Sequence, residues 1–213
     1  MRGPVVAAGA RAQCALLPVP LDYSNPAGPK IKIAISRIRH TSANFQGVLL
    51  TNPGGPGGSG LDFNVFLIQA LQHEGLGAAA SGYDWIGFDP RGVGSSVPAL
   101  GCDPNYLSPD RGSYTPTTHA ILRYWKARTA DYAADCATRS AAQTALLGHI
   151  TTADVARDMD SIRRALGQQQ ISYYGFSYGT YLGEVYATLF PGHVRRLILD
   201  SSVDPRKVWY QAP

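Results

Sequence analysis

Short apolar runs alternate with longer amphipathic ones along this chain. Residues 16–21 predict a first strand, and Pro18 and Pro20 confine it to a sheet edge, because proline donates nothing to a ladder. Residues 22–30 hold Asn25-Pro26 and Gly28-Pro29 and read as a turn region. Ile31, Ile33 and Ile35 alternate with Lys32, Ala34 and Ser36, the period of a half-buried strand. Three more runs, 47–51, 83–88 and 194–200, are short and apolar, as strands inside a sheet are. A fourth, Ile171-Ser172-Tyr173-Tyr174, is apolar and aromatic.

Helical patterns stand between these strands. Leu61, Phe63, Val65, Phe66, Ile68 and Leu71 form one helix-like run. Residues 119–147 read mostly as helix, with Ile121, Trp125, Tyr132 and Cys136 spaced four, seven and four apart on one face. That face points Cys136 toward the body of the protein. Thr151 and Asp154 are spaced as a capping box for a helix whose buried stripe is Val155, Met159, Ile162 and Leu166, with Gly167 at its end. A last helix carries Leu182, Val185, Tyr186 and Leu189 and is stopped by Pro191-Gly192. Residues 98–118 are turn-rich, and 201–213 are loop-like. Strands alternating with helices predict an α/β fold: a mostly parallel sheet with helices on both faces. Residues 1–213 make a single domain, with 98–150 as a helical excursion inside it.

Composition changes this picture little. The chain has 213 residues, 19 basic and 15 acidic, with the basic ones scattered. That is a solvated surface, and no nucleic-acid partner is expected. No run approaches the roughly 20 apolar residues of a membrane span, so no membrane partner is expected either. Residues 1–8 lack an apolar core of the kind a signal peptide needs. The three cysteines, Cys14, Cys102 and Cys136, fit no zinc spacing, and no metal or cofactor is expected. They read as one pair with one left over, or as three free thiols. Cys102 lies just past a strand and can meet the inward face of the 119–147 helix, so a Cys102–Cys136 bridge is the expected pair. Cys14 has no evident partner.

The chemistry concentrates at Gly175-Phe176-Ser177-Tyr178-Gly179. A strand run, then Gly-x-Ser-x-Gly, then a helix is the context of a nucleophile elbow. Lifting a serine hydroxyl above a strand end forces a sharp turn, so residues two before and two after must be small. The helix that follows directs N–H groups and its positive end at the serine. A second glycine-rich stretch, Asn52-Pro53-Gly54-Gly55-Pro56-Gly57-Gly58-Ser59-Gly60, also joins a strand to a helix. It reads as a loop supplying an oxyanion donor rather than a linker. A phosphate cradle is disfavoured, because no Gly-Lys-Ser/Thr follows. Asp89 and Arg91, in Asp89-Pro90-Arg91-Gly92-Val93-Gly94, are expected to brace the turn through a local ion pair rather than react.

With elbow, glycine loop and Asp-Pro-Arg-Gly-Val-Gly turn in this order, the chain resembles the α/β-hydrolases. More narrowly, it resembles secreted tripeptidyl aminopeptidases and their proline-iminopeptidase relatives. Val19-Pro20-Leu21-Asp22-Tyr23, Thr151 to Asp160 and Leu199-Asp200 carry the likeness further. The resemblance implies Ser177 as acylated nucleophile. It implies the Tyr178 N–H as one oxyanion donor and Gly55 or its neighbour Gly54 as the other, Gly55 preferred. The substrate would be a peptide, or a small acyl compound in an esterase or amide-hydrolase variant; a decayed, non-catalytic module is the third reading. A secreted or cell-envelope location is implied as well.

This fold places its triad acid and histidine after the serine. His193 alone follows Ser177 among the histidines, and it stands at the start of a strand, at the end of the sheet away from the elbow. It reads as a surface residue. Asp200 and Asp204 read as structural. The expected arrangement is therefore the N-terminal part of a hydrolase, without its lid and last strands and inactive alone. A missing C-terminal segment or chain would supply Asp and His.

Overall fold

The computed structural model describes residues 12–103, 105–106 and 112–207. The readings of residues 1–8 and 208–213, and part of the 98–118 segment, fall outside these. Six strands, β1 (Gln13–Pro20), β2 (Lys30–Ile38), β3 (Gly47–Asn52), β4 (Tyr83–Phe88), β5 (Ile171–Phe176) and β6 (Val194–Asp200), form one sheet in the order β1-β2-β4-β3-β5-β6. β1, β2 and β4 pair antiparallel, while β4, β3, β5 and β6 run parallel. The proline-bearing β1 is an edge strand, as its prolines require. It is longer at its start than the apolar run suggested.

Alternation along the parallel strands divides the core in two. Val48 and Leu50 of β3, with Ile86 and Phe88 of β4, face a layer built by α5 (Thr152–Ala165) and α6 (Tyr178–Leu189). Leu49 and Trp85 face the other side, under α1 (Phe63–His73), with Val65 and Leu67 packed on them, and the short α2 (Gly77–Ala80). Leu50, Ile86 and Phe88 are wholly buried. Each contributes roughly 1.5–3 kcal/mol through area removed from water. Both faces of β2 are covered, since Ala34 and Ser36 are buried along with Ile31 and Ile33. Asn64 explains part of this: its side-chain amide donates to the Ser36 hydroxyl, which itself donates to the Leu61 carbonyl.

The 98–150 stretch is mostly helical from residue 119 on, as expected, but its Cys136 face does not meet the body of the protein. It holds α3 (His119–Ala137) and α4 (Ala141–Leu146), and no residue of α3 is buried. Ile121, Trp125, Tyr132 and Cys136 do share the less exposed face. That face meets the irregular chain before it: Trp125 Nε1 donates to the Ser113 carbonyl, and the Tyr132 ring lies 4.4 Å from that of Tyr106. Cys136 bonds to Cys102, and Cys14 is free and exposed. At the far edge of the sheet, β6 leaves Ile198 about half exposed. Among the described residues no helix is long and apolar enough to cross a membrane.

Candidate active site

Ser177 joins the last residue of β5 to the first of α6. Its backbone sits at φ 55°, ψ −126°, a region that costs a non-glycine residue on the order of 1–3 kcal/mol. The surroundings over-determine it. The Ser177 N–H donates to the Asp200 carbonyl at 3.0 Å, tying the turn to the end of β6. The Ser177 carbonyl accepts from the Thr180 N–H and hydroxyl at 2.9 and 2.7 Å. Tyr173, wholly buried in β5, donates its hydroxyl to the Gly179 carbonyl at 2.8 Å. Burial pushes that phenol well above its ordinary pKa, so it stays a donor.

The glycines are required by close approach. A Cβ on Gly179 would stand 2.6 Å from the Asn52 carbonyl oxygen, and one on Gly175 would overlap the Gly179 carbonyl. The loop after β3 thus packs directly on the elbow. Gly54, at φ 86°, comes so near that a Cβ there would lie 2.8 Å from the Tyr178 nitrogen. The Gly54 N–H is occupied, donating to Asn52 Oδ1 at 2.9 Å. The Gly55 N–H has no hydrogen-bond partner among the described residues. Of the two glycines it is the one with a donor to offer.

Asp89 and Arg91 brace the site, but not through each other. Asp89 accepts from the Ser59 hydroxyl (2.6 Å) and the Gly60 N–H (3.0 Å), and from the Ser95 N–H (2.7 Å), clasping the glycine loop to the turn after β4. Arg91 instead forks onto Asp158 of α5, with Nε to Oδ2 and Nη2 to Oδ1 both 2.7 Å, and both side chains fully buried. The expected local ion pair is replaced by one spanning 67 residues. Tyr23 donates to the same carboxylate at 2.7 Å. Burial pushes the Asp158 pKa up, while Arg91 and Tyr23 work to keep it ionised. This triad was missed in the sequence. Its one signal is an aspartate at position 158, inside the apolar stripe of α5 and one residue before the buried Met159.

The Tyr178 side chain points back to α5, its hydroxyl 2.7 Å from the Thr152 hydroxyl. On one side of it lies a cavity of about 270 Å³, walled by Val93, Leu100, Ile150, Val155 and Leu182 and reaching Gly54. On the other side is a wider one of about 610 Å³, lined by Tyr181 and residues 203–207. Asp204 there is held down to about 2 by hydrogen bonds from Arg206. Tyr174 is raised to about 12, first by burial and then by its bond to Asp200 Oδ2 at 2.6 Å. Asp200 thus spends its carboxylate on that phenol and its carbonyl on Ser177.

His193 lies at the surface, at the strand end its position suggested, with its side chain 37% exposed, but it is paired there. Its Nδ1 lies 2.7 Å from Asp160 Oδ1, and Arg163 binds the same carboxylate. The register pairs Ile171 with Val194 and Phe176 with Asp200, so His193 sits at the opposite strand end from Ser177. At about 3.3 Å per residue that is roughly 20 Å away. Among the described residues no cluster of His, Cys, Asp and Glu could hold a metal ion.

A parallel-centred sheet covered on both faces, with a strained serine between a strand end and a helix start, defines a hydrolase-type α/β architecture. The chain belongs to the alpha/beta hydrolase fold family, whose model matches residues 47–212. It is similar to a Streptomyces lividans protein named tripeptidyl aminopeptidase, at 45% identity over 94% of this chain and 37% of that protein. A Mycobacterium tuberculosis relative named serine protease Hip1 is 37% identical over 91% of this chain and 36% of its own length. Another from the same organism, named carboxylesterase B, is 41% identical over 91% of this chain and 36% of its own length. The chain spans a little over a third of the length of these relatives.

Proposed function

We propose that Ser177 is the acylated nucleophile of a serine hydrolase that cuts peptide bonds near a free N-terminus. The observation that carries this is the serine's backbone at φ 55°, ψ −126°, imposed between β5 and α6 with the glycine loop packed against it. The hydroxyl attacks the scissile carbonyl, and the N–H groups of Tyr178 and Gly55 receive the oxyanion, with Gly54 shaping the turn. The C–N bond breaks, the amine departs with a proton, and water releases the acyl group. His193 is bound to Asp160 at the other end of the sheet and is not placed to take the Ser177 proton, which leaves that role to an acid and a histidine later in the order this fold uses. The relatives named tripeptidyl aminopeptidase and serine protease support the peptide reading. The relative named carboxylesterase supports a second, in which the same serine takes ester acyl groups. The Cys102–Cys136 bridge favours a location outside the cytoplasm.

The test uses the protein that carries this chain together with its downstream residues. Hydrolysis of a tripeptidyl-coumarin is expected to disappear in Ser177→Ala, and a fluorophosphonate adduct is expected on Ser177 by mass spectrometry. Faster turnover of a nitrophenyl ester than of the peptide would favour the second reading. Rapid stoichiometric labelling of the 213-residue chain alone would show that the base lies within it.

A further inference from the structure

The two cavities that meet at Tyr178, the residue after Ser177, differ in chemistry, and the smaller one offers no free charge. Its lining includes the apolar Val93, Leu100, Ile150, Val155 and Leu182 and the uncharged Asn52, together with Gly54 and Tyr178, which adjoin the serine turn. Arg91 also reaches it. A buried guanidinium in a pocket would ordinarily select an anion. Here it has nothing to give. A guanidinium carries five N–H donors. Two go to Asp158, one more from Nη2 goes to the Pro20 carbonyl, and Nη1 donates to the Leu21 and His149 carbonyls. An acid entering this cavity would lose its water and gain no hydrogen bond from Arg91, and a base would find Asp158 already engaged.

The partition is equally fixed. Pro56, Ile150 and Tyr178 line both cavities, and the Tyr178 hydroxyl is anchored on Thr152. The outer cavity carries Asp204, Arg206 and Lys207. We infer that the inner cavity is the pocket for an uncharged, apolar side chain next to the scissile carbonyl, with Leu100 and Ile150 setting its size. At about 270 Å³ it lies below the range of pockets that enclose a whole small ligand, and suits one side chain. The assignment rests on Ser177 being the nucleophile, because only then does the rim at Gly54 and Tyr178 adjoin the bond that is cut.

The first test requires no turnover. Acetyl-leucinamide, acetyl-aspartamide and acetyl-lysinamide are titrated, up to their solubility, into the 213-residue chain bearing Ser177→Ala, with methyl groups observed by NMR. The Val93, Leu100 and Ile150 methyl signals are expected to move with the leucine compound alone. Ile150→Trp fills the cavity from a side chain that is already 44% exposed, so the core is spared. It is expected to suppress the Val93 and Leu100 shifts. Equal shifts with the charged amides, or none with any, would overturn the proposal. The second test is turnover by the protein that includes the downstream residues. Peptidyl-coumarins with Leu before the scissile bond are expected to exceed those with Asp or Lys by roughly 100-fold. Ile150→Trp should lower the Leu rate about 10-fold more than the Ala rate. Activity surviving Ser177→Ala would sink the nucleophile reading and leave the NMR result standing. A dead Ser177→Ala with Leu, Asp and Lys cleaved alike would sink the pocket alone.

Discussion

The turn at Ser177 and the helical segment between β4 and α5 lie in one chain but are held by different means. Around the serine, constraint comes mostly from afar: Asn52 from the end of β3, Gly54 from the loop after it and Asp200 from β6, joined by Tyr173 of β5 itself. Beneath the neighbouring loops, Arg91 and Asp158 bind the β4 turn to α5. In the helical segment most constraints are local, a Thr118 cap, a Ser140–Gln143 capping box and one disulfide, with Leu146 at the end of α4 reaching the core. α3 buries no residue, whereas α5 buries eight, three of them aspartates. The lesson is about what each region can do. A strained serine persists only where unrelated elements converge on it. A segment held by its own caps can open without disturbing them.

The largest test of that difference is Asp158→Ala. It leaves Arg91 charged, buried and without its carboxylate, a loss of about 3–5 kcal/mol. Urea unfolding followed by circular dichroism should show the whole transition displaced. Arg128→Ala in α3 also removes a guanidinium that binds carbonyls, those of Asn105 and Tyr106, but one that is only partly buried and carries no buried carboxylate partner among the described residues. It should move the transition by under about 1 kcal/mol. Comparable losses from the two would mean that the segment is as integral as the site.

Next in size is Gly179→Ala. The added carbon meets the Asn52 carbonyl at 2.6 Å, and that oxygen is backbone and cannot swing aside, so the elbow and the end of β3 must part. The expected cost is about 1–3 kcal/mol. Fluorophosphonate labelling of Ser177, in the protein that includes the downstream residues, should fall further than stability does. Gly148→Ala has open space around its Cβ and should change neither. If Gly179→Ala were silent, the tight contact between the elbow and the end of β3 would be wrong.

How legible each region was in the sequence follows from the same contrast. Local signals were read well: the Thr151–Asp154 box, the edge prolines, the Gly-x-Ser-x-Gly turn, and the shared face of Ile121, Trp125, Tyr132 and Cys136. What failed was partnership over distance. Asp89 and Arg91 stand two apart and looked like a pair, yet each side chain turns to a different element because the β4 turn points them apart. His193 follows a helix stop and looked solvated, yet α5 places Asp160 within reach. Cys136 was assigned correctly to a face, but that face covers neighbouring chain and not the sheet. Periodicity shows that a face is covered, not by what.

A third test opens the segment directly. For a loop closed by cysteines 34 residues apart, chain entropy assigns roughly 3–4 kcal/mol if the entire chain unfolds as one unit. Because α3 buries no residue, Cys102→Ser with Cys136→Ser should move the global transition by less than half of that. Limited thermolysin digestion should instead cut within residues 98–140 and leave the sheet intact. A full entropic loss in the urea midpoint, with no new cleavage, would show that the segment and the body unfold together.

The smallest effect gives the cleanest comparison, because the chemistry is the same at both sites. Thr118 caps α3 by accepting from the Ile121 N–H at 3.2 Å, and Thr151 caps α5 by accepting from the Asp154 N–H at 3.2 Å. Replacing either by alanine removes a cap worth about 1 kcal/mol to its own helix. At Thr151 that loss reaches the core, since α5 carries Asp158 under the glycine loop and stacks Val155, Met159 and Ile162 against the sheet. The melting transition should therefore fall by close to the full amount. At Thr118 the loss stays in α3, and amide exchange there should quicken several-fold while the melting transition holds. Equal shifts in melting would mean that the cap at α3 is read by the core after all, through the Cys102–Cys136 bridge or through Leu146, the wholly buried residue of α4. Repeating the pair under reducing conditions separates those two routes, because only the first requires the disulfide.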